Sequence, residues 1–294
     1  MAGGELARRW AVALVGIPIV VVLLYVGSWP LAAAVGLMAG IATDECYRLL
    51  RRKGVVPVTW VGVPAAVGLV LLAGLTPTPS GFAAAGLALV AGVVLLSLAA
   101  VTFGRSLEAG PLTAASGTLF GMLYGALGLA VVPLMHALPF STGWAGAVPS
   151  PWAGVAMVAL PLTATWVGDA AAFFAGSAWG RRRLAPAISP NKSWEGAVAG
   201  VLGASTGAVI WYGVVHGVLP GAPLSYMSAA FLGALLGTGA IVGDLVESML
   251  KRDAGVKDSG TLLPGHGGLL DRIDALVFTL PISYALLRIL EAIR

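Results

Sequence analysis

Charged side chains are scarce in this chain: Asp, Glu, Lys and Arg make up 10% of its 294 residues, less than half the ~25% of a soluble globular domain. That shortage excludes an ordinary water-facing surface. Cysteine is nearly absent as well. The single Cys46 excludes an intramolecular disulfide and any metal site built from several thiolates, and it reads as a small apolar side chain near a helix end. A Walker A loop, an internal repeat of the polar motifs and a soluble domain are also missing. After Arg8 and Arg9 and the first apolar run no small-residue cleavage site stands out, so a retained first helix is expected rather than a signal peptide.

What is present in quantity is apolar sequence: 58% of residues are hydrophobic and the mean hydropathy is +0.93. Apolar windows fall at 10–29, 31–49, 56–76, 81–103, 112–135, 152–179, 195–218, 226–250 and 273–293, most near the ~20 residues a helix needs to cross a ~30 Å hydrocarbon core. The expected fold class is an all-α polytopic integral membrane protein with about nine transmembrane helices. Proline- and glycine-rich breakers such as "GSWP", "TPTPSG" and "LPGAPLS" separate the windows.

Basic residues test that count independently. Of the 17 Lys and Arg, all but Arg288 and Arg294 lie in the N-terminal tail or in alternate loops: Arg48 to Lys53, Arg105, Arg181 to Lys192, and Lys251 to Arg272. The intervening loops hold none, the alternation that the positive-inside rule predicts for a cytoplasmic N-terminus. The pI near 9.5 therefore reports topology and contact with anionic membrane lipids, not nucleic-acid binding. Apart from Glu291, every Asp and Glu follows the same side, so the chemistry belongs to the cytoplasmic face. Residues 1–150 read as a scaffold of about five spans forming the lipid cavity, and 151–294 as about four catalytic spans with two polar loops. Pairs such as Gly196–Gly200 and Gly233–Gly237 suit close helix contacts.

Among the carboxylates inside apolar windows, Asp169 in "TATWVGDAAAFFAG" and Asp244 in "GTGAIVGDLVESMLKR" stand out. An ionisable side chain in a span costs ~2.5–3.5 kcal/mol on insertion scales and is a functional candidate by default; the plainer reading is an end-of-helix acid paired with a lysine or arginine. Asp244, Glu247, Ser248 and Lys251 follow i, i+3, i+4, i+7 spacing and share one helix face. That stripe leads into "KRDAGVKDSGTLLPGHGGLLDRID", residues 251–274, where Asp271 and Asp274 open the last helix. Carboxylates converging without His or Cys ligands favour a hard cation such as Mg²⁺, which neutralises phosphate oxygens in phosphoryl-type transfer. The turn "PGHGG", with Gly265, His266, Gly267 and Gly268, is able to bring backbone N–H groups to an anion, and Lys251, Arg252, Lys257 and Arg272 add cationic donors. Each element alone is weak; a basic loop is already demanded by topology.

A second constellation is "RRRLAPAISPNKSWEG", with Ser189, Asn191, Lys192, Ser193 and Glu195 ahead of the seventh window. Ser193 is placed to cap a helix and Glu195 to sit in its first turn, while the same helix start is equally suited to hold a phosphate through Asn191 and Lys192. His136 and His216 read as structural, and Trp10, Trp29, Trp152 and Trp179 as interface anchors.

The run from Ser248 to Asp274, with its Ser, Lys-Arg, Lys-Asp, Pro-Gly-His-Gly-Gly and Asp-Arg-x-Asp at fixed spacing, resembles the signature of the phosphatidate cytidylyltransferases, or CDP-diacylglycerol synthases. "SPNKSWEG" and "GDAAAFFAG" resemble two further segments of that family, the latter with Phe173 where a Tyr is common. The resemblance implies the reaction CTP + phosphatidic acid → CDP-diacylglycerol + pyrophosphate at the cytoplasmic face of the inner membrane of a bacterial-type cell. It implies Mg²⁺ held by Asp244 and Asp271, with Asp169 lining the same cavity as a further metal carboxylate, a potassium ion near the pyrophosphate, nine spans and a homodimer. Lys251, Arg252, Lys257, His266 and Arg272 would then hold phosphates, with Ser189, Lys192, Ser193, Ser248 and the signature glycines on the nucleotide; Asp258 and Asp274 would orient these groups or complete the metal shell. An ion-coupled transporter and a CTP-dependent lipid kinase are the competing readings. The transporter is disfavoured by the missing repeat and by polar groups that reach one face only.

Overall fold

The computed structural model describes residues 14, 16–146, 150–262 and 267–293; Arg8, Arg9, Trp10, Gly265, His266 and Arg294 lie outside them. A helix follows at each apolar window: α1 (Gly16–Val26), α2 (Ser28–Arg52), α3 (Thr59–Leu75), α4 (Pro79–Gly104), α5 (Pro111–Ser141), α6 (Trp152–Trp179), α7 (Trp194–Val215), α8 (Tyr226–Asp253), then the short α9 (Leu270–Ile273) and α10 (Leu276–Ala292). Among the described residues six helical stretches are long and apolar enough to cross a membrane: α4, α5, α6, α7, α8 and α9–α10; α1 and α3 are apolar but shorter. Large apolar side chains stand exposed along them, Phe103 on α4 at 90% and Val214 on α7 at 78%, as lipid-facing helices require and as water-facing ones avoid. The chain is an all-α polytopic membrane protein.

Local chemistry sets several helix ends. Thr78 accepts a hydrogen bond from Gly81 N (3.3 Å), with Pro79 at the first helical position of α4. Basic side chains occupy the last turns of α2 (Arg51, Arg52) and α8 (Lys251, Arg252), where the helix dipole favours them. Two expectations need correction. The segment after α6 is not plain loop: β1 (Arg183–Ala185) pairs antiparallel with β2 (Ser189–Ser193). The last helix is not continuous either, because Asp274 and Ala275 form a turn between α9 and α10, and Asp274 Oδ1 accepts from Ala275 N at 2.7 Å. An Asp at a helix start competes for backbone N–H groups in this way.

The chain divides into two compact units, Met1–Leu134 with Asp253–Ile273, and Met135–Arg252 with Asp274–Arg294. In the first, α2 packs on α3 around Tyr47, which is fully buried and donates to Thr118 O at 2.6 Å. Gly62 and Gly121 leave the room for that ring: a Cβ at Gly121 would lie 2.6 Å from Tyr47 Cδ1. Cys46 beside it is a buried free thiol, as its apolar reading anticipated. In the second unit α6 and α7 approach closely, with a Cβ at Gly207 falling 3.0 Å from Thr163 O. Trp211 Nε1 donates to Ala156 O across the same contact at 2.7 Å, and a hydroxyl pair, Thr165 and Thr279 at 3.3 Å, links α6 to α10.

Candidate functional site

In the second unit α8 displays the polar stripe that its spacing predicts. Ser248 Oγ donates to Asp244 Oδ1 (3.3 Å) one turn back, and Lys251 Nζ pairs with the buried Glu247 at 2.5 Å. Lys192, half-buried on β2, reaches the same helix and pairs with Asp244 Oδ2. Asp169, exposed on α6, and Asp274, at the turn before α10, each feel the charge of Asp244, with Lys192 acting on Asp169 and Lys251 on Asp274. Three carboxylates from three separate segments thus share one neighbourhood with two lysines. Such a set is able to hold a polyphosphate through its cations.

The β1–β2 hairpin positions Lys192. Ser193, buried, caps α7 by accepting from Gly196 N at 3.1 Å, and Glu195 in the first turn accepts from the backbone N–H of Arg181 (3.1 Å) and Arg182 (3.3 Å). Arg252 Nε donates to Ile188 O at the hairpin tip (3.4 Å). The capping role read for Ser193 is therefore present, with its hydroxyl oxygen engaged by the helix. Ser189 is half-buried at the start of β2 and Asn191 is exposed along it. Beside the hairpin, Trp179, Arg181, Arg182, Trp194, Glu195 and Val198 line an open cleft of about 730 Å³.

In the first unit the signature segment closes around one acid. Asp271, in the first turn of α9, accepts through Oδ2 from Ser259 N (2.9 Å), Ser259 Oγ (3.0 Å) and Gly268 N (2.8 Å). Gly267 has φ +77°, where a glycine is favoured, and a Cβ there would lie 2.7 Å from Asp271 Oδ2. Lys257, Asp258 and Arg272 are exposed on the same segment. Asp244 belongs to the second unit and Asp271 to the first, and each is held by neighbours of its own unit.

One residue of this arrangement was not singled out from the sequence: Glu45. It lies on α2 with 1% of its surface exposed, more than two hundred positions before the loop it serves. Its Oε1 accepts from Leu269 N (3.0 Å) and its Oε2 from Leu270 N (2.7 Å) and Ser259 Oγ (3.2 Å). The signal was available, since Asp44 and Glu45 fall inside the apolar window 31–49, where an acid is a candidate by default. The basic cluster that follows, Arg48 to Lys53, gives these acids the plainer pattern of a charged helix end.

Among the described residues no three or more His, Cys, Asp or Glu side chains gather in a way that could hold a metal by themselves. The acids present offer oxygen ligands only. That suits Mg²⁺, which takes one or two protein carboxylates and completes its shell with water and substrate phosphates.

A family model described as the cytidylyltransferase family matches residues 7–290. A phosphatidate cytidylyltransferase from Synechocystis sp. is 34% identical over 297 residues, covering 94% of this chain and 94% of that protein. Phosphatidate cytidylyltransferase 4, chloroplastic, of Arabidopsis thaliana is 31% identical over 290 residues, 93% of this chain and 71% of that protein. The phosphatidate cytidylyltransferase of Thermotoga maritima is 44% identical over 140 residues, 48% of this chain and 52% of that protein.

Proposed function

The chain belongs to the cytidylyltransferase family, and from that premise we propose that it joins CTP to phosphatidate, giving CDP-diacylglycerol and pyrophosphate in phospholipid biosynthesis. The observation that carries this reading is similarity to a phosphatidate cytidylyltransferase along 94% of both chains, together with an unbroken polar signature from Ser248 to Asp274. In the reaction an oxygen of the lipid phosphate forms a bond to the α-phosphorus of CTP. The bond from that phosphorus to the β-phosphate bridging oxygen breaks, and pyrophosphate leaves with the electron pair. Phosphatidate is already an anionic nucleophile, so positioning and charge neutralisation carry the catalysis rather than a strong general base.

The chain's own cations serve that end. Lys192 and Lys251 are held by Asp244 and Glu247, which orients them as phosphate donors instead of leaving them to sweep through solvent. Lys257 and Arg272 are exposed on the signature segment and are assigned to substrate phosphates, as is Arg252; His266 and the glycines of the turn complete the proposal from sequence. Mg²⁺ is proposed at Asp244 and Asp271, with Asp169 as a further carboxylate, and when bound it would neutralise the phosphate oxygens. A potassium ion near the pyrophosphate and a homodimer belong to the same proposal through the resemblance. The topology proposed is nine spans with the N-terminus and the reactive groups on the cytoplasmic side of the inner membrane, supported by the alternation of basic loops.

The experiment is direct. Purified protein receives phosphatidate and CTP labelled either in the cytidine or at the γ-phosphate. Cytidine label in the lipid with release of pyrophosphate is the expected result; γ-phosphate label in the lipid would identify a kinase, and label in neither form would leave a transporter.

A further inference from the structure

We propose that Glu45 is a positioning residue for the cytidylyl transfer: it fixes the start of α9, whose first turn carries Asp271, and it competes with that carboxylate for the Ser259 hydroxyl proton. This rests on the reading above, in which Asp271 serves the metal and the phosphates. A buried carboxylate is costly unless hydrogen-bonded, and Glu45 at 1% exposure spends both oxygens on the signature segment alone. It takes the N–H groups of Leu269 and Leu270, the first donors of a four-residue helix too short to order itself. The same segment is shaped to admit it. A Cβ on Gly268 would lie 2.6 Å from Glu45 Oε2 and 2.7 Å from Gly260 N, and one on Gly260 would collide with Glu45 Oε1.

Ser259 makes the link specific. Its hydroxyl carries one proton and stands between Glu45 Oε2 (3.2 Å) and Asp271 Oδ2 (3.0 Å), so it donates to one carboxylate at a time. The two acids therefore compete for one proton, and whichever takes it, Asp271 keeps the N–H groups of Ser259 and Gly268 while Glu45 keeps those of Leu269 and Leu270; Glu45 acts on Asp271 by fixing the turn and helix start that carry it. Groups that orient a metal-binding side chain typically affect metal affinity or activity by about 10–100-fold when removed.

The test uses the full-length protein in detergent or vesicles. Glu45→Ala, Glu45→Gln and Ser259→Ala are compared with wild type and Asp271→Asn for kcat, KM for CTP, the half-saturating Mg²⁺ concentration, and Mn²⁺ binding without substrates by electron paramagnetic resonance. Thermal unfolding reports whether each variant folds. Glu45→Ala is expected to lower kcat by about 10–100-fold and to weaken Mn²⁺ binding by a similar factor, while KM for CTP changes less than about threefold. Glu45→Gln keeps one acceptor oxygen and offers an amide donor to Ser259, so it should recover part of the loss. Ser259→Ala should move the same quantities in the same direction by a smaller factor. If Glu45→Ala does not fold, Glu45→Gln and Ser259→Ala decide. Folded Glu45 variants with wild-type kcat and Mn²⁺ affinity, beside an inactive Asp271→Asn, overturn the positioning role and leave the function intact. A fully active Asp271→Asn overturns both the metal assignment and the positioning role built on it.

Discussion

At the scale of single residues, the signature segment is demanding because Asp271 takes its donors from the backbone of the segment itself. Asp271 receives two backbone N–H groups on a single oxygen and stands within reach of the Ser259 hydroxyl, which fixes the carboxylate in direction. Asp271→Asn replaces one oxygen by a donor facing donors. Cytidylyl transfer is expected to fall by on the order of 100-fold or more, the scale for losing one electrostatic partner of a transferring group, measured as CDP-diacylglycerol formed per folded enzyme. Lys192→Ala removes the cation that pairs with Asp244. A folded Lys192→Ala protein that forms product at the wild-type rate would remove Lys192 from the phosphate-binding set. Gly268→Ala tests crowding in place of charge: its Cβ would meet Glu45 and Gly260 at 2.6 and 2.7 Å, and overpacking of this kind costs about 1–3 kcal/mol. A lowered thermal midpoint together with lost activity is the expected pair of results.

At the scale of elements, small residues decide which helices touch. On α8, a Cβ at Gly233 would sit 2.5 Å from Ala204 O and 2.6 Å from Ser205 Cα of α7, so backbone meets backbone there with no flexible side chain to yield. Gly92 on α4 has nothing within 4 Å of its Cβ position. The same change should therefore have opposite signs. Gly233→Ala is expected to lower the thermal midpoint by crowding, and Gly92→Ala to leave it unchanged or raise it, since alanine in a helix is favoured by roughly 0.5–1 kcal/mol over glycine. Equal shifts in thermal unfolding would reject close α7–α8 packing as the reason for these glycines. The cap of α7 is a separate matter. Ser193→Ala loses the acceptor for Gly196 N and should cost about 1 kcal/mol, loosening the end of the hairpin that carries Lys192.

For the whole molecule, apolar composition alone settles the solvent: six described helices have the length and hydropathy of membrane spans, and their exposed faces carry residues such as Leu95, Leu202 and Phe231. Sidedness is the prediction at this scale. In a Cys46→Ser background, a cysteine at Asn191 should react with a membrane-impermeant maleimide only in inverted vesicles, and one at Pro220 only in right-side-out vesicles; the reverse pattern would overturn the cytoplasmic assignment. Linear pattern was enough for the helical class, the positions of the windows and the polar signature from Ser248 to Asp274, because each rests on composition or on spacing along one helix. The α8 stripe was legible for the same reason: Asp244 and Ser248 are one turn apart wherever the helix goes. Tertiary structure alone decided that Lys192 pairs with Asp244, that residues 183–193 form a hairpin, and that Glu45 on α2 holds the start of α9. The Lys192 and Glu45 contacts join residues tens to hundreds of positions apart, and nothing in local periodicity encodes which distant donor a buried carboxylate will meet; that choice is made by packing, which brings the partners together and leaves a desolvated charge no alternative to them.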